Sequence, residues 1–236
     1  MKLRAFWLSL LVVGAAVAVS LRPWESVPDA WNPWVPLRVD HSMNPVTRWK
    51  LERLERSRDQ CLAVLEAAPA DAVEYVALAD YTPVEDCPLT NVVRIHRTSV
   101  EFNAAFTVTC PLAVAWLMFE GQALQPLASE LLGAQVARID HFGSFACRNV
   151  YHRANGRRSE HASAAAFDVA AIRLRDGRRL TVLDQWEDDD QPENAHYLKE
   201  VHDAACGYFG TVLGPDYNAP HENHFHFGTR GYRLCR

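Results

Sequence analysis

Two short stretches near the C-terminus concentrate residues that can bind a metal ion or transfer protons. Four of the ten histidines of the 236-residue chain lie in them. The first stretch, residues 159–168, reads SEHASAAAFD, and the second, residues 221–226, reads HENHFH. Imidazole nitrogens and carboxylate oxygens at this density are typical of metal sites and of acid–base catalysis.

The second stretch alternates histidine with aromatic residues. His224 and His226 stand two positions apart, so both imidazoles of a strand would face the same side. Phe225 and Phe227 would then pack on the opposite face. The pattern predicts one cavity with two metal ligands, or with one ligand and a catalytic histidine. The alternative is a pair of polar residues on a solvated strand face, because two spaced histidines are by themselves a weak motif.

Asp168 belongs to the first stretch and lies within the apolar pattern of residues 167–174. A carboxylate in such surroundings needs a partner, because burial of an unpaired charge is costly. Zinc would provide one: an aspartate with two histidines, His161 among them, forms a three-ligand site that leaves its fourth position for water. The alternative partner of Asp168 is an arginine such as Arg148 or Arg157.

The elements that must position these residues are helices and strands in mixed order. No βαβ regularity and no glycine-rich phosphate loop is found in the sequence, so we predict the α+β class. The expected architecture is a small, mainly antiparallel sheet that carries the zinc site and is flanked by about three helices. The predicted helices cover residues 49–67, 111–133 and 193–208, and the predicted strands cover residues 92–95, 136–142, 167–174, 180–183 and 224–227.

The N-terminus predicts export. Residues 1–4 are basic and residues 5–21 carry no charge, which favours a membrane anchor within residues 1–22. A cleaved signal peptide is the alternative, because residues 16–18 have the small-x-small form. Both interpretations place the rest of the chain on the periplasmic side of a bacterial inner membrane. Residues 23–46 are rich in proline and tryptophan and form either a tether or a segment packed on the domain of residues 47–236.

The six cysteines agree with an oxidising compartment. Their number is even, all follow the apolar segment, and none forms a CxxC pair. Three disulfides are therefore expected, with buried free thiols as the alternative. Six cysteines allow 15 connectivities. The pairing that we predict is the sequential one, namely Cys61–Cys87, Cys110–Cys147 and Cys206–Cys235.

The composition narrows the function classes. The net charge is −5, so no broad basic surface is implied and nucleic-acid binding is not expected. Hydrophobic residues make up 49% of the chain and charged residues 22%, which is ordinary for a globular protein. This composition argues against a disordered chain and against a membrane protein with several spans.

The pattern Ser159-x-His161-x6-Asp168, followed by His224-x-His226, resembles a known metal signature. It is similar to that of the zinc D-alanyl-D-alanine peptidases, the penicillin-insensitive murein endopeptidases and the hedgehog signalling domain. The resemblance implies that His161, Asp168 and His226 bind zinc. It also implies a role for His224 as an acid–base group or transition-state stabiliser.

A closer resemblance covers nearly all of the exported part. The sequence is similar to the bacterial extensin-like C-terminal family, including the layout of its cysteines. This family is distinct from the plant wall glycoproteins, whose Ser-Pro repeats are absent here. The stretches that carry the likeness are TCPLA at 109–113, GSFACRN at 143–149, RSEH at 158–161 and LGPDYN at 213–218.

The resemblance suggests further active-site residues. His221 resembles an extra active-site histidine of murein endopeptidases. Arg148 stands where peptidases of the superfamily carry an arginine that contacts the substrate carboxylate or the reacting carbonyl, a task that suits a guanidinium. Ser159 is a second candidate for substrate binding. A structural arginine that pairs with a nearby acid is the alternative for Arg148.

The sequence departs from the superfamily pattern at two positions. Ala164 stands where many D,D-peptidases have glycine, and Asn223 stands where D,D-dipeptidases have a glutamate base. The base role would fall to His224, His221 or an acid such as Glu160. The resemblance implies a zinc-dependent hydrolase of peptidoglycan peptides, of D,D-carboxypeptidase or endopeptidase type. The alternative is a catalytically inactive, zinc-containing binding or scaffolding module of the envelope.

Overall fold

A computed structural model describes residues 26–230 and 233–236, together with residues 4, 6, 7, 10 and 13. The predicted apolar segment, residues 5–21, lies outside the described residues except for four of these single positions. Within the described part of the chain, no helix has both the length and the apolar character needed to cross a bilayer.

Five helices of eight residues or more occur among the described residues, where about three were predicted. Two predicted helices are each divided. The first is interrupted at Ser57, whose side chain accepts a hydrogen bond from Gln60 N and so caps the next helix. The second contains a π-helical turn, Glu120–Leu124, just before Pro126, which has no N–H to donate. The helices are α1 Pro45–Arg53, α2 Arg58–Glu66, α3 Cys110–Phe119, α4 Gln125–Leu132, the short α5 Val182–Gln185 and α6 Pro192–Ala205.

Twelve strands complete the described α+β fold, which confirms the predicted class. The main sheet is larger than expected, with seven strands in the order β12-β10-β11-β8-β7-β5 and β9 paired to β8. Its central pairs are antiparallel, and β5–β7 and β10–β12 are parallel. The strands are β1 Val73–Ala77, β2 Tyr81–Val84, β3 Cys87–Leu89, β4 Val92–Thr98, β5 Glu101–Phe102, β6 Phe106–Thr109, β7 Val136–Gly143, β8 Ala166–Leu174, β9 Arg179–Thr181, β10 Thr211–Leu213, β11 Phe225–Gly228 and β12 Leu234–Cys235.

The predicted strand at residues 180–183 is shorter than expected. It ends at Thr181, whose side chain accepts a hydrogen bond from Asp184 N and caps α5. A hydroxyl at this position satisfies an N–H that the helix itself leaves free, so the chain turns into a helix here.

Helix α3 covers one face of the main sheet. All of its ten residues are buried. The ring of Trp116 lies 5.3 Å from that of Phe167 on β8, and the ring of Phe119 lies 5.6 Å from that of Phe227 on β11. Because strand residues alternate between faces, Asp168 and His226, which neighbour these phenylalanines, face away from the helix. The core therefore fixes which side chains line the outer face.

The structure contains three disulfides, as predicted, but the sequential pairing is wrong for two of them. Cys206–Cys235 is confirmed, with a Cα–Cα distance of 5.8 Å. The other bonds are Cys61–Cys110 and Cys87–Cys147 rather than Cys61–Cys87 and Cys110–Cys147. The physical reason is that α2 packs on the first turn of α3, which brings Cys61 to Cys110. Cys87 on β3 then meets the loop that follows β7.

The described part of the proline- and tryptophan-rich segment lies on the domain. Lys50 Nζ donates a hydrogen bond to Asp29 O at 2.9 Å, and Thr47 Oγ1 donates to Ala30 O at 3.1 Å. Gln122 Nε2 donates to Val39 O at 2.9 Å, and Leu37 is buried. Of the two interpretations of this segment, packing on the domain therefore describes residues 26–44.

Candidate metal centre

The fold brings the three predicted ligands together. Asp168 on β8 and His226 on β11 are direct partners in the antiparallel pairing of these strands. His161 lies on a 3-10 helix, Glu160–Ser163, that immediately precedes β8. One donor atom from each residue lies within 4.8 Å of the others, a group able to hold a metal ion.

The turn before β8 depends on two small residues. Ser159 Oγ accepts a hydrogen bond from His161 N at 3.4 Å and caps the 3-10 helix. Ala164 then adopts a left-handed conformation, with φ of 53° and ψ of 29°, and ends it. Such a conformation favours glycine, which explains the glycine expected there. Ala164 is fully buried beside Leu89 and Val92, so the apolar contacts of its methyl group offset part of the cost of the left-handed conformation.

The rings of His161 and His226 are oriented by contacts of both of their nitrogens. His161 Nδ1 lies 3.1 Å from Ser144 O, a hydrogen-bond acceptor, so Nε2 is the ring nitrogen that faces the site. This Nε2 lies 3.1 Å from Asp168 Oδ2 and 3.1 Å from His226 Nδ1. His226 Nδ1 lies 3.0 Å from Asp168 Oδ1. The three converging donors are thus His161 Nε2, His226 Nδ1 and the Asp168 carboxylate.

Glu160 holds the far side of the His226 ring. Its Oε2 lies 3.3 Å from His226 Nε2, and its Oε1 accepts a hydrogen bond from Arg230 N at 2.8 Å. A metal-binding histidine commonly donates its second N–H to such a carboxylate, which sets the tautomer. The sequence suggested Glu160 only as an alternative base. No local pattern identifies this role, because Glu160 and His226 are 66 residues apart in the chain.

The charges of the cluster favour a bound cation. Burial alone would raise the pKa of Asp168, but hydrogen bonds with His161 and His226 outweigh it and hold that pKa well below its usual range. Burial alone would lower the pKa of His226, but hydrogen bonds with Asp168 and Glu160 outweigh it and raise the pKa to about 9. Two buried carboxylates thus require a positive charge between them. A divalent metal ion in place of the His226 proton meets this requirement.

The predicted alternation at the second stretch is confirmed. Phe225 and Phe227 are 0% and 1% exposed in the core, whereas His224 and His226 face the site. His224 immediately precedes β11, and its Nε2 lies 3.7 Å from Asp168 Oδ1. Burial lowers the pKa of His224, so the ring is neutral near neutral pH. Asn223 Oδ1 accepts a hydrogen bond from His224 Nδ1 at 2.8 Å, which leaves Nε2 as the free nitrogen.

His221 joins the cluster from the other side. Its ring centroid lies 5.2 Å from that of His224 and 5.9 Å from that of His226. Its Nδ1 donates to Asn218 Oδ1 at 2.6 Å, and Asn218 Nδ2 donates to Tyr151 Oη at 2.9 Å. Burial, followed by the charge of His224, lowers the pKa of His221 to about 4. His221 is therefore a second neutral imidazole beside the predicted ligands.

Arg148 and Ser159, the two residues predicted to bind substrate, have different surroundings. The half-buried Arg148 lies near enough for its charge to lower the pKa of both His221 and His224. Ser159 is buried, and its hydroxyl supports the turn that carries His161. A direct contact of either side chain with substrate stays a prediction. Glu222 is exposed.

The donor set fits a zinc-like metal ion. Two imidazole nitrogens and one carboxylate are the ligands of an open site, in which three protein groups leave a coordination position for another molecule. The neutral imidazoles of His221 and His224 lie beside this position and can accept protons there. The arrangement combines metal ligation with acid–base groups in one cavity.

Comparison with known protein families gives one match. The family described as extensin-like protein C-terminus matches residues 59–236. This range contains every residue of the candidate metal centre and all six cysteines. Searches among curated proteins and among solved structures returned no match. The chain belongs to the extensin-like protein C-terminus family.

Proposed function

We propose that this protein is a zinc-dependent hydrolase of peptide bonds in peptidoglycan, of D,D-carboxypeptidase or endopeptidase type. It would act on the periplasmic side of the bacterial inner membrane, held there by its N-terminal segment. One observation carries the proposal: His161, Asp168 and His226 converge beside two further histidines that a purely structural metal site would not need.

His161 Nε2, His226 Nδ1 and the Asp168 carboxylate would hold the ion. Zinc at such a site supplies Lewis-acid chemistry, because it lowers the pKa of water and polarises a carbonyl group. His161 and His226 present the required nitrogens since Ser144 O and Glu160 occupy their opposite ring nitrogens. These contacts hold the ligands in place before any ion arrives, which limits reorganisation on binding.

His224 is the group that would move protons. Its Nε2 faces the site, and burial keeps the ring neutral, so this atom can accept a proton from water and return it to the leaving amine. Arg148 would stabilise negative charge on the substrate, either a carboxylate or the developing oxyanion. His221 lies behind His224 and would assist it.

A second candidate is an envelope module that retains zinc without turnover. The observation in its favour is Asn223, which stands where dipeptidases of the superfamily have a glutamate base. Asn223 instead orients His224 through a 2.8 Å hydrogen bond. The two candidates share the metal and differ only in catalysis.

The full chain purified without chelators tests both. Mass spectrometry of the intact protein should find about one zinc per chain, and Asp168→Ala should lose it, because the remaining histidines are too few to hold zinc tightly. Purified peptidoglycan is then digested with wild type and with His224→Ala. We expect His224→Ala to keep zinc and to release muropeptides about 100-fold more slowly. The control is His96→Ala, which changes an exposed histidine on β4.

The outcomes separate the candidates. Stoichiometric zinc without any released muropeptide would support the inactive module. A protein that binds no zinc would overturn both.

A further inference from the structure

The outer face of the main sheet continues past the metal cluster along β7. Arg138, Asp140 and Phe142 alternate there with two residues that contact the core. Phe142 is 62% exposed, and its ring centroid lies 5.7 Å from that of His224. Following β7 back towards its start, the surface thus passes from the candidate metal centre over an exposed aromatic ring to Asp140 and Arg138.

Three arginines meet a single carboxylate at that point. Arg173 on β8 is flanked by Arg138 on β7 and by Arg179 on β9. The Nε atoms of Arg138, Arg173 and Arg179 lie 3.0, 2.9 and 3.0 Å from Asp140 oxygens. One carboxylate balances one of three positive charges. These contacts use Nε, so the terminal nitrogens of each guanidinium remain suited to a second, bidentate acceptor.

A cleft of about 530 Å³ opens beside these arginines. Arg97, Arg138, Arg173 and Arg175 line it, with Glu101 as the carboxylate among its described lining residues. Glu74 approaches Arg97 to 3.9 Å. With Asp140 and Arg179 included, five arginines face three carboxylates, although the whole chain carries a net charge of −5. A positive cleft on a negative protein selects an anionic ligand by charge complementarity.

The strand register sets the spacing between cleft and metal centre. Gly143 pairs with Asp168, and Arg138 pairs with Arg173, so five residues of strand separate the two pairs. At about 3.3 Å per residue this is about 16 Å, the length of five residues of an extended peptide.

We propose that this arginine cleft binds a carboxylate of the peptide substrate, about five residues from the bond at the metal centre. The proposal rests on the proposed peptidase function and names acidic peptides as its substrate class.

Calorimetric binding to the full chain tests the cleft without turnover, because a chelator keeps the protein metal-free. The assay compares two ten-residue peptides that are identical except at one position near an end. This position is glutamate in one peptide and glutamine in the other. We expect the glutamate peptide to bind about tenfold more tightly to wild type, the effect of a charge-assisted hydrogen-bond pair. Arg173→Gln and Arg175→Gln should each reduce this preference. Arg173→Lys should keep part of it, since lysine retains the charge and loses the bidentate geometry.

The matched control is Arg38→Gln, which likewise removes an exposed arginine bonded to an aspartate. It should leave the preference unchanged. Equal affinity for both peptides, or a preference that survives both glutamine variants, would overturn the proposal. A third arm measures binding of the protein to vesicles with anionic headgroups. If Arg173→Gln binds these vesicles more weakly than wild type does, while the two peptides bind alike, the cleft recognises lipid instead. A chain that prefers the glutamate peptide yet releases no muropeptide would retain the cleft and lose only the hydrolase function.

Discussion

Glu160 Oε2 lies 3.3 Å from His226 Nε2, on the edge of the ring opposite to Asp168. His226 is therefore held between two carboxylates, one on each ring nitrogen. Because Nε2 donates to Glu160, Nδ1 is left as the atom that can face a metal ion. Glu160 is a positioning residue, and its carboxylate is itself fixed by Arg230 N.

Glu160→Gln should weaken zinc binding about 10-fold to 100-fold. The glutamine amide would donate towards His226 Nε2 and so favour the tautomer with the proton on Nδ1, which removes a metal donor. Competition with a fluorescent chelator measures the affinity, and the visible spectrum of the cobalt-substituted protein reports the ligand geometry. Glu222→Gln, an exposed change close by, is the control and should alter neither. Unchanged affinity in Glu160→Gln would refute the positioning role.

Gly228→Ala should produce the same defect without altering any polar group. A Cβ atom at position 228 would lie 2.5 Å from Glu160 Oε1 and 2.6 Å from Oε2, so the carboxylate would have to leave His226. We expect zinc affinity to fall by a factor similar to that of Glu160→Gln, measured by the same competition. Gly121→Ala is the matched control, because a Cβ there meets nothing within 4 Å. Wild-type affinity in Gly228→Ala would show that the carboxylate contact is dispensable.

Glu120 should make the stability of the fold depend on pH. Burial raises the pKa of this carboxyl, despite hydrogen bonds from Ser99 N and Trp116 Nε1. A raised folded-state pKa means that its stabilisation is complete below the unfolded pKa and is lost as the pH rises through the folded pKa. The free energy of unfolding of wild type, relative to Glu120→Gln, should therefore fall with rising pH. The fall is about 1.4 kcal/mol for each unit by which folding raises the pKa.

Urea unfolding of both proteins between about pH 4 and about pH 8 measures this difference, and the subtraction removes groups that titrate alike in both. Glu130→Gln, an exposed change on α4, is the control for the replacement of a carboxyl by an amide. A Glu120 difference that grows with pH would show that the carboxyl is ionised more readily in the folded chain.

The cysteines should be fully oxidised, with a defined connectivity. Alkylation of the unreduced, denatured protein should modify none of the six. Proteolytic mapping should recover peptides that join Cys61 to Cys110 and Cys87 to Cys147. Removal of the first bond by Cys61→Ala with Cys110→Ala should lower the free energy of unfolding by about 4 kcal/mol, the chain-entropy value for a loop of this length. Linked peptides that join Cys61 to Cys87 would restore the sequential pairing.

The grouping of His161, Asp168 and His226 was predicted from the resemblance to a zinc signature, because local patterns suggested only that each of them is a candidate ligand. The sequence also predicted that His224 and His226 share a face, because Phe225 and Phe227 define the opposite one. The disulfide partners of Cys61 and Cys87 depend on how α2 packs against α3, which no local pattern encodes. Glu160 was missed as a partner of His226 for a similar reason: the two residues meet only when β8 pairs with β11.

The two predicted long helices are each interrupted in the structure. Ser57 is a recognisable capping residue, so the start of α2 could have been placed from sequence. The π-helical turn at Glu120–Leu124 was not predicted, although Pro126, which has no N–H to donate, lies two residues after it in the sequence.

His161 and His226 stand 65 residues apart in the chain, and they meet through the pairing of β8 with β11 and the 3-10 helix that precedes β8. An unfolded chain thus has no preformed site, so an ion that binds the folded chain stabilises it relative to the unfolded chain. Free ion at 100 times its dissociation constant would add about 2.7 kcal/mol to the stability. Divalent copper outcompetes zinc for such nitrogen and oxygen donors. The metal that the protein carries therefore depends on which ions are available in the compartment where the chain folds.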